Sequence, residues 1–165
     1  MTTKQEQFDS LVESVGVAMM TTRTSEGHLR SRAMANQKKA SGADLWFVTS
    51  EGSSKLDDLS QDPHIGLSYY KDGSREWISV SGIVTISKDR EKIKELYASD
   101  WKMWFNEGNG PASGTVDDPK IVLIGVKVHV ATFFAVDHPA PVVLYELAKG
   151  WLTGTAPDLG EVKTL

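Results

Sequence analysis

The 165-residue chain contains no cysteine, so it can form no disulfide, hold no metal through thiolate and run no thiol redox chemistry. It has no excess of positive charge either: 18 Lys and Arg stand against 22 Asp and Glu, a formal net charge of −4. Nucleic-acid binding rests on a basic face that neutralises phosphates, so no nucleic-acid partner is expected. No apolar run approaches the roughly 20 residues that span a bilayer, and no basic-plus-apolar leader opens the chain. A cytoplasmic protein with no membrane partner is the expectation. The G-x-G-x-x-G fingerprint of dinucleotide-binding sheets and the G-x-x-x-x-G-K-[ST] loop of nucleotide triphosphatases are both missing. The four histidines, His28, His64, His129 and His138, are scattered without metal-site spacing, and no metal is expected. Ser50, Ser53 and Ser54 lie in no nucleophile-elbow context, which leaves a hydrolase triad unsupported.

Against these absences stand 40% hydrophobic residues, 24% charged residues and five tryptophans. That composition suits one globular domain over residues 1–165. Phe8, Leu11, Val12 and Val15 recur at helical spacing, predicting an N-terminal helix from about Lys4. Val15 to Thr22 and Leu29 to Gln37 read as a hairpin. Leu45 to Thr49 follows as a strand, then a short helix near Ser54 to Ser60 that Asp62-Pro63 ends. His64 to Lys71 and Glu76 to Ile86 form another hairpin through Asp72-Gly73. Asp89 caps a helix with Ile93, Leu96 and Tyr97 on one face, and Trp101, Trp104 and Phe105 continue at helical spacing as aromatics that need burial. Asn106 to Asp118 reads as a glycine-rich loop. Ile121 to Val136 is the longest strand, with Val126, Val128 and Val130 on one side and Lys127 and His129 on the other. Residues 141–165 carry no assignable pattern. About six strands, mostly in consecutive hairpins, predict an antiparallel barrel or sandwich with peripheral helices.

One segment points to chemistry. Leu45-Trp46-Phe47-Val48-Thr49 runs through Ser50-Glu51-Gly52 into Ser53-Ser54-Lys55 at the start of a helix. A helix start carries unpaired N–H groups and partial positive charge, so it stabilises an anion; two hydroxyls and an ammonium add to that, and Gly52 permits the tight turn. The alternative is that Ser53 or Ser54 only caps the helix while Lys55 is solvated. Asp57-Asp58 and Asp117-Asp118 read as solvated faces or loop caps.

Taken in order, several segments resemble the FMN-binding split-barrel superfamily that contains pyridoxamine 5′-phosphate oxidase, and more closely its general stress protein branch. They are Leu29-Arg30-Ser31-Arg32-Ala33-Met34, Leu45 to Thr49, Ser53-Ser54-Lys55, Asp62-Pro63, Trp77 to Gly82, Trp101 to Phe105, Asp118-Pro119 and Gly160-Glu161. The resemblance implies a mainly β fold, an antiparallel six-stranded split β-barrel with flanking helices. It also implies a homodimer with two FMN sites in the clefts between subunits, FAD being the alternative cofactor. By the same resemblance Arg32 binds the flavin phosphate with Ser53, Ser54 and Lys55, Ala33 and Met34 present backbone to the ring system, Val48 and Thr49 form the strand end beside it, and Trp77 reaches the flavin of the second subunit.

The departures matter. Gln37 stands where pyridoxamine phosphate oxidases close their first motif with lysine, and Tyr97 to Gly108 has tryptophans but no arginine to grip a substrate phosphate. Ala33 replaces a proline common in the branch, and Phe133-Phe134 stands where a Tyr-Trp pair is often found. The expectation is a flavin-dependent oxidoreductase with a small donor such as NAD(P)H, distinct from a true pyridoxamine phosphate oxidase. A non-catalytic protein that stores or senses FMN or FAD is the alternative, and a split barrel adapted to haem or a deazaflavin is a third. No catalytic acid or base is identifiable.

Overall fold

Thr3 begins the first element with a reciprocal cap: its hydroxyl accepts from Glu6 N at 3.2 Å, while the Glu6 carboxylate accepts from Thr3 N at 2.7 Å. The helix α1 (Lys4–Val15) buries Phe8, Leu11 and Val12 and ends on Gly16, whose φ of 74° only glycine adopts at no cost. The computed structural model describes residues 2–105, 110 and 112–165. Beyond α1 they form β1 (Val17–Arg23), β2 (Leu29–Ala35), β3 (Leu45–Ser50), α2 (Ser54–Gln61), β4 (His64–Lys71), β5 (Glu76–Ser87), α3 (Arg90–Leu96), α4 (Trp101–Phe105), β6 (Ile121–Val136), α5 (Ala140–Thr153) and β7 (Gly160–Thr164).

All pairings are antiparallel, in the order β2-β1-β4-β5-β6-β3, with β7 also on β6. The 16-residue β6 is long enough to carry β5 along one edge and to divide the other between β3, at Ile121 to Val126, and β7, at Thr132 to Val136. The sheet curls until its ends approach, and Gln37 N donates to Trp46 O at 2.8 Å, joining the chain just past β2 to β3. No ladder closes β2 on β3. This is an antiparallel split barrel with flanking helices. It contains the six expected strands plus β7, a seventh in the stretch that sequence left unassigned. Alternation is weak in Gly160 to Thr164, and pairing with β6 makes it a strand.

The barrel interior holds Met20, Met34, Phe47, Leu67, Ile78, Val80 and Phe133, plugged by Phe8, Leu11 and Val12 of α1. A second cluster lies outside it, where α3 and α4 cover Trp46, Ile121 and Leu123 with Ile93, Leu96 and Trp101. Both faces of β3 and of the first half of β6 are therefore buried, which explains the unbroken apolar runs there.

Two expectations need correction. Val126, Val128 and Val130 do not share a face. The β5–β6 register shifts between Ser81 and Gly82, which pair with Val130 and Val128. His129 is the extra residue of a bulge, so parity flips: Val126 is buried, Val130 is exposed, and the interior is continued by Ala131, Phe133 and Ala135. Second, the aromatics after α3 do not continue one helix and do not all bury. The chain turns out of helix at Tyr97 and restarts at Trp101, which is fully buried and donates Nε1 to Gln37 Oε1 at 2.8 Å. Phe105 is half-buried and Trp104 is 74% exposed. Residues 112–118 form turns, as expected of the Asn106 to Asp118 loop, while 106–109 and 111 lie outside the described residues.

Candidate functional site

The turn after β3 opens with Gly52 at φ +82°, where a Cβ would meet nothing within 4 Å, so glycine is required by backbone conformation and not by space. Ser53 is the N-cap residue of α2 by position, but its side chain makes no capping hydrogen bond. Its hydroxyl instead accepts from Lys55 Nζ at 2.6 Å, and Thr49 Oγ1 accepts from the same ammonium at 2.9 Å. The reading in which a serine hydroxyl caps this helix is therefore overturned. Lys55 is half-buried and, among the described residues, has hydroxyl partners but no carboxylate. Burial, and secondarily the nearby Arg32 charge, push its ammonium below the usual lysine range.

Arg32 comes to the same place from β2. Its register partner Met20 and, beyond it, Leu67 and Val80 belong to the buried row of the sheet, so Arg32 leans over the inner end of the barrel. Nη1 donates to Thr22 Oγ1 at 2.7 Å, and Nη2 donates to Asp58 Oδ2 at 3.0 Å and to Ser54 Oγ at 3.3 Å. Thr22 closes the triangle by donating to Asp58 Oδ2 at 2.7 Å. The Thr22 hydroxyl, and after it Arg32, hold the Asp58 carboxyl below the usual range against the opposing effect of burial.

Asp58, expected on a solvated face or as a loop cap, is instead buried. Two signals could have found it. Ser54 and Asp58 are four residues apart on α2 and share a face. A half-buried arginine also needs a counter-charge. Thr22, fully buried, was missed because hydroxyl partners leave no sequence pattern.

Arg32, Thr49, Ser53, Ser54 and Lys55 are thus brought together as one cluster of two cations and three hydroxyls. The other candidates lie around it. Met34 is buried on the inner face of β2 and Ala33 is exposed on the opposite face; Val48 is half-buried on β3. Trp77 is not brought to the cluster of its own chain. It is half-buried on the outer face of the sheet, in register with the exposed Tyr70. An open cavity of about 320 Å³ adjoins the cluster, lined by Thr24, His28, Arg30, Ser54, Asp57 and Asp58 among others. A larger one, about 420 Å³, lies between α1 and the β6 bulge, where Asp9 pairs with Lys39 and Asp44 with Lys127. None of the candidate residues lines it. No group of histidines and carboxylates capable of holding a metal occurs among the described residues.

The pattern of the family described as pyridoxamine 5′-phosphate oxidase like matches residues 3–158. The chain belongs to that family. Protein bli-3 of Neurospora crassa is 33% identical over 165 residues, covering 98% of this chain and 79% of its own. Among solved structures, a Jannaschia sp. CCS1 protein designated a general stress protein 26 superposes with TM-score 0.75 at 26% identity, covering 96% of this chain and 95% of that one. The general stress FMN/FAD binding protein of Xanthomonas citri superposes with TM-score 0.63 at 23% identity over 78% of this chain and 86% of that one, a likeness of fold. No helix among the described residues is long and apolar enough to cross a membrane.

Proposed function

We propose that this member of the pyridoxamine 5′-phosphate oxidase-like family binds FMN with its phosphate between Arg32 and the Thr49, Ser53, Ser54 and Lys55 cluster, and serves as a flavin-dependent oxidoreductase for a small donor such as a reduced nicotinamide. The observation that carries this reading is Lys55, a half-buried ammonium held by two hydroxyls beside a helix start that no side chain caps. A dianionic phosphate suits that donor set: it would restore the ammonium's charge balance and accept from the α2 backbone N–H groups. Each charge-assisted hydrogen bond contributes roughly 1.5–3 kcal/mol. Arg32 is already paired with Asp58, so it supplies direction through its guanidinium fork and Lys55 supplies the unspent charge.

Flavin, when bound, contributes hydride and electron acceptance at its ring system. Around it, Ala33 and Met34 offer backbone and Val48 and Thr49 the adjoining strand end. Trp77 faces away from its own cluster, so the flavin contact expected of it would be made at the site of a second copy, in a homodimer with flavin between subunits.

The absorption spectrum of the purified protein tests the cofactor. A flavin spectrum is expected, with FMN and FAD separated by titration of each; a colourless protein that leaves added FMN fluorescence unquenched overturns the proposal. Stopped-flow mixing with NADH or NADPH tests the reaction. Rapid bleaching is expected, whereas bound flavin that no donor reduces makes the protein a flavin store or sensor.

A further inference from the structure

The segment between β6 and β7 leaves the sheet and returns to the same end of it, since Val136 and Gly160 are register partners. Between them stand the 14 residues of α5 and the return segment 154–159. This segment has a built shape. Val143, Glu146 and Gly150 are half-buried on one side of the helix. There a Cβ on Gly150 would lie 2.8 Å from Thr155 O and 3.4 Å from the Pro157 ring, and Asp158 N donates to Glu146 Oε2 at 3.5 Å. The helix and its return are zipped together as an arm.

The arm's other side is apolar and, among the described residues, is left exposed. Leu144, Leu147, Trp151 and Leu152 recur at the spacing of one helix face with Tyr145 beside them, yet α5 has no buried residue. Trp151 is 88% exposed, Leu152 76%, Leu144 69% and Tyr145 64%. The same chain shows a second apolar surface, exposed at Tyr70 and Val162 and half-buried at Trp77 and Phe134. Tyr70, Trp77, Phe134 and Val162 are successive register partners across β4, β5, β6 and β7, forming one row on the outer face of the sheet.

We infer that α5 is an arm that docks on the outer sheet face of a second copy, with the contact repeated reciprocally about a two-fold axis. Both halves of the contact exist in one chain, which is what an isologous interface requires. Covering Trp151 and Tyr145 removes on the order of 300 Å² of surface per arm, and the matching area of sheet doubles that. Two such contacts give about 1,200 Å² before any leucine is included, the size at which specific interfaces begin. A lipid surface fits less well, because membrane-surface helices carry several Lys and Arg on the polar face, and α5 has Lys149 alone, paired with Glu146 at 3.4 Å. This inference rests on the homodimer of the preceding subsection and specifies what reaches across it.

The absence of cysteine permits a direct test in the full chain. Leu152→Cys introduces a single thiol on the arm, and Leu144→Asp disrupts the apolar face without touching the core. Sedimentation is expected to give a dimer in which the introduced thiol reacts with a thiol reagent at least tenfold more slowly than in the diluted monomer. Leu144→Asp is expected to raise the dimer dissociation constant at least tenfold with unchanged far-UV circular dichroism. A dimer whose thiol reacts at the rate of a free thiol overturns the arm and leaves the homodimer standing. A monomer at all concentrations overturns both. Protection that arises only on adding anionic phospholipid vesicles overturns the inference in favour of a membrane. A colourless dimer with a protected thiol upholds the arm and removes the flavin reading.

Discussion

Lys55 and Asp58 lie one helical turn apart and have opposite relations to Arg32, so their substitutions should separate binding from stability. Lys55 has no carboxylate partner among the described residues, and replacing it orphans no charge. Lys55→Ala is expected to weaken FMN binding by about 1–3 kcal/mol with little change in folding stability; fluorescence-quenching titration and urea denaturation measure the two. Asp58 is buried against Arg32 and Thr22. Asp58→Asn leaves the guanidinium without its counter-charge and is expected to cost about 2 kcal/mol or more. Because the folded carboxyl titrates below its unfolded value, the unfolded chain binds more protons in between. The stability this group contributes is therefore fully present above about pH 4 and lost as pH falls through the folded value. Urea midpoints measured from pH 7 to pH 3 should show an acid limb that is shallower in Asp58→Asn. A limb of equal steepness in both proteins counts against this role for Asp58.

At the scale of elements, the β6 bulge decides which residues line the barrel. Gly82 stands at the register shift, and a Cβ there would lie 2.5 Å from Lys127 O and 3.1 Å from Val126 Cγ1, the first a backbone atom that cannot rotate away. Gly82→Ala is expected to destabilise by about 1–3 kcal/mol, read as a lowered denaturation midpoint; an unchanged midpoint would mean that the strand pair slides freely. Element positions were legible where periodicity was long. His64–Lys71 and Ile121–Val136 coincide with their expected bounds, and α2 extends one residue beyond Ser60. What was not legible was parity, because a bulge inserts a residue without changing composition, so Val130 faces solvent in a run of alternating valines. β7 was invisible for a related reason: five residues of weak alternation become a strand only when β6 offers them a free edge.

At the scale of the whole molecule, the split barrel brings β2, β3 and α2 to one end, so that Thr22, Arg32, Thr49, Ser53, Ser54, Lys55 and Asp58 converge in a single cluster. Gln37 is engaged by Trp101 Nε1 at 2.8 Å, and Tyr97 to Phe105, the described part of the region that would grip a substrate phosphate, carries no arginine. Hydrogen peroxide release with pyridoxamine 5′-phosphate is expected to stay at background; robust turnover would contradict this assignment of Gln37 and its neighbours.

The sequence by itself determined the chemistry available: no thiols, one ammonium with neighbouring hydroxyls at a strand-turn-helix, and enough alternating strands for an antiparallel barrel. Those follow from residue type and local spacing, which do not depend on distant contacts. Residue type and spacing could not place Arg32, 23 positions before Lys55, beside it; the resemblance implied that pairing, and tertiary structure alone decided that Asp58 is its buried partner, that Trp77 faces outward, and that α5 has no buried residue. Each of these depends on how far the sheet curls and where β6 bulges, and curvature and register are set by contacts between segments remote in sequence.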